Sequence, residues 1–233
     1  MAKKSATFTF DKKKESEENV DKSLEMKATF TQRLFAFIVD AIILGFISTL
    51  IISFIPINDA SKRLYEQQEE VIKDYTDKKI TMDKYVNEML DINYDISRQT
   101  YILSIVSIAL SLCYYVIYPC YNNGQTLGKK LFKIRVKKLN DKDLSMNDLL
   151  IRAMINNSIL YSILGVILVL FLKKDIYLGV TSLMGVTQYL VLFVSLLLIA
   201  FSKRSQGLHD LVVHTEVVMA NTVKEEKLCQ EGN

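Results

Sequence analysis

Residues 33–56 read RLFAFIVDAIILGFISTLIISFIP. From Leu34 to Ile55 the stretch is apolar on every side, Pro56 ends it, and one carboxylate, Asp40, interrupts it. About 22 helical residues are enough to cross ~30 Å of hydrocarbon. A charge near the middle of such a helix costs on the order of 2.5–3.5 kcal/mol on insertion scales, so Asp40 must face protein or water and find a partner, or carry a proton. Three further apolar blocks follow at 101–118, 153–172 and 176–201. The expected fold is therefore an all-α membrane protein, a four-helix transmembrane bundle, with the lipid bilayer as its first partner.

Over 233 residues, 50% hydrophobic and 24% charged, the totals resemble a soluble average, and it is the segregation of the charges between the blocks that decides the class. The net charge of +3 is small, and basic residues stand beside acidic ones rather than in a stripe with aromatics, which excludes a nucleic-acid-binding surface. Cys113, Cys120 and Cys229 are odd in number and give no disulfide framework. Cys229 is followed by Gln230, Glu231, Gly232 and Asn233, without the aliphatic pair of a prenylation box. The N-terminus lacks the apolar core and small-residue cleavage site of a signal peptide, so the first span is expected to act as an uncleaved anchor.

Between the blocks, residues 1–27 mix Lys and Glu too densely to bury a core and read as a disordered cytoplasmic tail, with a second charged tail over 220–233. The intervening 28–219 form one transmembrane domain. Its insertion at 57–98 carries ten acidic against seven basic residues, and Met82, Tyr85, Val86 and Met89 recur at a helical period, so it is expected to hold two helices joined near 76–81. Over 122–152 eight basic residues oppose three acidic ones, which assigns the loop 122–145 to the cytoplasm. Both termini are then inside and the insertion outside, with Lys173 and Lys174 the one violation. Phe132, Ile134 and Val136 alternate with Lys133, Arg135 and Lys137 as a short strand does, Asn140-Asp141 offers a turn, and Val212–Met219 supplies a partner strand. Ser145 and Asp148 have the spacing of a capping box, starting a helix near Met146 that rises into the third span.

Asp40 is the leading site candidate. Arg33, two turns earlier on the same face, lies ~10 Å away along the axis and needs a third group between them for an ion pair. Asp40 serves either as a functional proton or ion site or as a structural staple to a basic or amide group on another helix. Arg152 and, four residues on, Asn156 share a face at the opening of the third span. Taken alone, Arg152 also reads as an interfacial cation reaching to the headgroups. Asn156 and Asn157 bond another helix or line a wet cavity, and Gln188 in the fourth span invites the same pair of readings, with interhelical bonding favoured. In Ser205-Gln206-Gly207-Leu208-His209-Asp210, Gly207 suits a left-handed helix end that leaves Asp210 at the cytoplasmic surface.

With two histidines in the chain, His209-Asp210 has no second ligand cluster, and no metal is expected. Gly124-Gln125-Thr126-Leu127-Gly128-Lys129-Lys130 has its glycines one residue too close for a phosphate loop and no Ser or Thr after the lysine, so it reads as a turn setting the following strand. No nucleophile, base and orienter set is present, so neither an enzyme nor a cofactor is expected.

These residues together resemble the RDD family of membrane proteins, named for one arginine and two aspartates. Arg33, Asp40 and Asp210 match the three letters. Gly124-Gln125-Thr126-Leu127-Gly128-Lys129 with Ile134-Arg135-Val136 resembles the family's central loop, and Leu150-Ile151-Arg152-Ala153 the start of its third span. The resemblance spans about residues 28–219, and the insertion 57–98 is longer than in compact members. It implies transport of a small solute or a monovalent cation, with cation/proton antiport ascribed to some members. In that reading Asp40 alternates between proton and cation while Arg33, Arg152 and Asp210 tune it, with His209 and Gln188 accessory. A pathway this small implies a homodimer or larger assembly. The alternative is a membrane scaffold or assembly partner, in which the same four charges form one buried network and Asp40→Asn is strongly destabilising.

Overall fold

A computed structural model describes residues 26–139, 143–202 and 205–220. The first helix, α1 (Phe30–Ser53), starts at Thr29, whose hydroxyl accepts the Gln32 amide N–H at 3.3 Å while the Gln32 side chain accepts the Thr29 N–H at 3.0 Å. The insertion contains α2 (Asp59–Thr76), capped by Asn58, and α3 (Met82–Gln99), capped by Thr81. The two pack as an antiparallel hairpin, with Tyr75 stacked on Tyr85 and Gln68 bonded to Asn93.

Next comes α4 (Tyr101–Tyr121), which contains a π turn at Cys113–Ile117. The turn precedes Pro119, which has no N–H and whose ring would strike the carbonyl four residues back in a regular helix. The Tyr118 N–H reaches back five residues to Cys113, and the extra residue turns Tyr114 toward the bundle interior, where it is buried.

A short helix, α5 (Leu127–Leu131), and strand β1 (Ile134–Lys138) lead to α6 (Met146–Asn156), capped by the Ser145–Asp148 box. After α7 (Ile159–Phe171) and α8 (Lys174–Phe201), helix α9 (Leu208–Val213) and β2 (Thr215–Met219) close the chain. The strands pair antiparallel with Val136 opposite Val217, and Lys27 bridges Val218 on the free edge of β2. Ala28, Ala36, Ile134, Val136 and Val217 form a small core beneath this sheet.

The architecture is thus mostly helical with a two-stranded sheet, and several expectations change in detail. The third apolar block is not one helix. Ser158 takes a left-handed conformation (φ 58°) and α6 meets α7 at 69°, so α7 alone, with 13 residues, spans only ~20 Å. Among the described residues three helices are long and apolar enough to cross a membrane, or four if the bent pair is one crossing. Phe132 and Lys133 lie in a turn before β1, and Val212 and Val213 belong to α9, so the strands are shorter at both places. Met26 and Lys27, read as part of the tail, are held on β2, Met26 by the Met219 N–H at 2.9 Å. Most of the N-terminal tail, the Asn140-Asp141 turn and Cys229 fall outside the described residues. Lys174 finds its counter-charge in the insertion, at 2.8 Å from Asp91, and the nearby Tyr94 hydroxyl donates to the Leu172 carbonyl. The insertion thus supplies a counter-charge to one of the two lysines that stood against the expected orientation.

Candidate functional site: two carboxylate anchors around a cavity

Asp40 is 2% exposed and faces the interior from α1. Its Oδ1 accepts the Tyr114 hydroxyl at 2.6 Å and the Gly128 N–H at 2.7 Å, and its Oδ2 accepts the Thr126 hydroxyl at 2.5 Å. The π turn of α4 aims Tyr114, while Thr126 is the N-cap of α5 and Gly128 lies in its first turn. Gly128 is required by space, since a Cβ there would sit 2.8 Å from the Asp40 carboxylate. Hydrogen bonds to a charged group are each worth roughly 1.5–3 kcal/mol, so this set outweighs the ~2.5–3.5 kcal/mol of placing a carboxylate in the span. The expected basic or amide partner is therefore replaced by two hydroxyls and a backbone amide, and the anchor joins α1 to α4 and α5.

Arg33 and Arg152 meet instead at Asp210, which is fully buried (0% exposed) rather than at a surface. Arg152 pairs with Asp210 Oδ1 and also bonds the Thr215 hydroxyl, which itself donates to the same carboxylate at 3.2 Å. Arg33 lies 3.5 Å from Oδ2 and donates to the carbonyls of Ser205 at 2.5 Å and Val217 at 3.1 Å. The Gly207 N–H reaches Oδ2 at 3.1 Å. Gly207 starts α9 instead of ending a helix left-handed, and its missing Cβ leaves room for the His209 ring and the Ser195 hydroxyl, each 2.7 Å from where a Cβ would stand. This ionic anchor ties α1, α6, α9 and β2 together.

Burial alone would raise the Asp210 carboxyl, but Arg152, then the adjacent imidazole and Arg33, outweigh it and bring it down to about 2. For His209, burial dominates, opposed by Asp210 and reinforced by Arg152, Lys129 and Arg33, and lowers the imidazole to about 3. It is neutral at physiological pH, 3.3 Å from the Ser195 hydroxyl through Nδ1.

A cavity of about 550 Å³ lies between α1 and α8, within the ~300–1,000 Å³ range of small-ligand sites. Arg33, Asp40, Lys129, Arg152, Asn156 and His209 line its inner wall. Asn156 and Asn157 reach it from the break between α6 and α7, while Gln188 lies outside it and donates to the Ser158 hydroxyl at 2.6 Å, joining α8 to that break. Lys129, on α5, was not singled out by sequence reasoning. Burial first, then Arg152, lowers its ammonium to about 8 against the attraction of Asp40 and Asp210. Among the described residues its side chain has no hydrogen-bonded or ion-paired partner. With His209 neutral, the three cations Arg33, Lys129 and Arg152 exceed the two carboxylates by one charge. The arrangement favours an anionic or hydrogen-bond-accepting guest over a bare cation.

Apolar helices of spanning length, the bent α6–α7 pair and two buried carboxylate anchors define a membrane-type protein with a cavity that has a charged inner wall. The sequence model of the RDD family matches residues 27–214, and the chain belongs to that family. Neither a curated protein nor a solved structure matches it significantly.

Proposed function

We propose that this RDD family protein is a multi-pass transporter of a small solute in the cell membrane, with the cavity between α1 and α8 as its substrate site. The observation that carries the reading is the broken third span. Its break places Asn156 and Asn157 against the same cavity that Arg33, Asp40, Lys129 and His209 line from three other elements. Discontinuous spans beside a polar cavity are how many secondary transporters expose backbone and side-chain groups to a substrate.

The described segments before α1 and after α9 meet on one side of the bundle, which supports four crossings. Met26 and Met219 are hydrogen-bonded to each other, and an even number of crossings returns the chain to its starting side. Counting the bent α6–α7 pair as one span gives four, and the basic residues of the loop and sheet at that end favour its facing the cytoplasm. A homodimer or larger assembly suits so few spans.

Cation/proton antiport is the narrower version of this reading. It asks Asp40 to exchange its three donors for a cation beside a net positive charge, so a solute with anionic character is favoured. The scaffold alternative draws support from the Asp210 anchor, whose contacts all serve to hold elements together.

The full chain in phosphatidylcholine vesicles tests the proposal. Proton movement driven by Na⁺ or K⁺ is followed with an internal pH dye, and uptake of labelled phosphate and short carboxylates is measured in parallel. Flux of at least one solute is expected, reduced about tenfold or more by Lys129→Gln without loss of thermal stability. Absence of flux above empty vesicles for every solute refutes transport and leaves the scaffold. Antiport that is unchanged in Asp40→Asn discards Asp40 as its proton site.

A further inference from the structure

The cavity has a second wall that the transport reading does not use. Leu34 and Phe37 on α1, and Tyr189, Phe193 and Leu196 on α8, line it while remaining exposed on the outside of the bundle, Tyr189 by 73%. On α1 the lining runs from Phe30 to Asp40, and on α8 from Tyr189 to Ile199, each about 15 Å of helix. The result is a slot parallel to the spans. Helix α1 packs on α4 and α5, while α8 packs on α7 and α9, and the slot separates them. Its outer edge is formed by exposed apolar residues of two helices of spanning length, so in a bilayer the slot would open sideways to lipid.

Opposite this apolar edge, the inner wall offers donors without acceptors. The Lys129 ammonium is unpartnered among the described residues, and Arg33 Nε is buried without a hydrogen bond. The Asp40 carboxylate of the wall has its oxygens occupied by Tyr114, Thr126 and Gly128, and the Asp210 carboxylate, outside the lining, by Arg152, Thr215 and Gly207. An uncompensated donor set facing a lipid-lined opening calls for an anionic group on an apolar stem.

We infer that the slot binds an anionic lipid drawn from the bilayer, its headgroup against Lys129 and Arg33 and one acyl chain leaving between α1 and α8. The inference rests on the proposed function only in taking the cavity as the ligand site. It names the ligand as a membrane amphiphile and does not require that flux be observed.

The chain has no tryptophan, so one introduced indole reports on one place. Phe193→Trp puts it in the slot, and Leu183→Trp, on the same helix but outside the cavity lining, serves as control. Each full-length variant is placed in phosphatidylcholine vesicles in which either phosphatidylcholine or phosphatidylglycerol carries the brominated chains that quench indole fluorescence. In Phe193→Trp, the brominated phosphatidylglycerol is expected to associate about fivefold more strongly than brominated phosphatidylcholine, which corresponds to the ~1 kcal/mol of one basic residue near anionic lipid. The preference falls to near one when Lys129→Gln is added and survives with Lys129→Arg. In Leu183→Trp it is absent.

Equal quenching by the two lipids at position 193 overturns the inference, as does a preference that Lys129→Gln leaves intact or that position 183 shares. Displacement by inorganic phosphate at constant ionic strength, without any lipid preference, also overturns it and assigns the site to a soluble anion. In that case the transport reading stands, whereas lipid preference at 193 combined with no solute flux leaves the lipid site standing and removes small-solute transport.

Discussion

Replacing each buried aspartate by asparagine separates the two anchors, because the same change of one oxygen for an amide group meets different neighbours. In Asp210→Asn the guanidinium of Arg152 loses its counter-ion, and Arg33, 3.5 Å away, loses the same one. Removing one partner of a buried ion pair costs about 3–5 kcal/mol, since the stranded charge keeps its desolvation penalty. In Asp40→Asn the retained carbonyl oxygen still accepts from Tyr114 and Gly128, both of which converge on Oδ1. The new NH₂ faces Thr126, whose hydroxyl rotates from donor to acceptor. What is lost is charge assistance, partly offset by relief of burying a charge, so about 1 kcal/mol or less is expected. At ~2–4 °C per kcal/mol for a chain of this size, Asp210→Asn should lower the melting temperature by ~6–20 °C and Asp40→Asn by less than ~4 °C. Thermal unfolding of the purified protein in detergent, followed by loss of the monodisperse chromatographic peak, measures both. Equal losses for the two variants would refute the separation, and would return Asp40 to a single charge network with the arginines.

Acidification provides a second check: an imidazole held at about 3 in the fold, against 6.5 ordinarily, binds fewer protons than the unfolded chain between those values, so stability falls as pH drops through that window. From pH 6.5 to 5 the loss is about 2 kcal/mol, and His209→Gln should flatten it in melting curves taken across that range. Asp210 acts in the same direction lower down, its contribution complete above its ordinary carboxyl value and lost as pH falls toward about 2. Lys129, lowered to about 8, acts in the same direction at higher pH: stability rises from pH 8 to 10.5, and Lys129→Gln at pH 7 should leave the melting temperature unchanged or slightly raised. A clear fall would reveal a partner for that ammonium. Gly128→Ala brings a methyl against the Asp40 carboxylate and the α1 backbone, for which ~1–3 kcal/mol of overpacking is expected, read as lower yield and melting temperature.

How far the sequence led depended on whether a feature was local. Hydrophobic blocks fix helices within themselves, and the Ser145–Asp148 box and the alternation at Ile134–Val136 needed only neighbouring residues, so helices and sheet were legible. The break at Ser158 was not, because Asn156-Asn157-Ser158 sits in apolar sequence without Gly or Pro, and the left-handed residue is held by contacts such as that from Gln188, 30 positions away. The partners of Asp40 were missed for a related reason. Charge pattern directs attention to opposite charges, whereas Tyr114, Thr126 and Gly128 are neutral and meet the carboxylate from 74 to 88 positions downstream. Its signal lay in the loop motif itself: a threonine two residues before a glycine, with that threonine at a helix start, presents a hydroxyl and a free N–H side by side. Arg33, Arg152 and Asp210 were identified as a charged group, but spacing along the chain does not say which of two aspartates takes the arginines.

The distribution of partners gives the cavity its character. A single network joining both aspartates to both arginines would be near neutral and inward-looking, with no group left to meet a guest. Two separate anchors do otherwise. Neutral donors satisfy Asp40 without spending a cation, and the two arginines are committed to Asp210 together with Thr215 and Gly207. Helix α5 is fixed at its first turn by the Asp40 anchor, so the next residue, Lys129, is carried to the cavity wall by backbone geometry rather than by any side-chain bond among the described residues. A burial-lowered ammonium with no hydrogen-bonded or ion-paired partner among the described residues is the costly element of this arrangement, offset only by the more distant attraction of Asp40 and Asp210. On the reading proposed above, the family's three signature residues hold the wall, and the ligand is met by the lysine beside them together with the free Nε–H of Arg33. Activity should accordingly follow residue 129 more steeply than stability does, and stability should follow Asp210 more steeply than it follows residue 129.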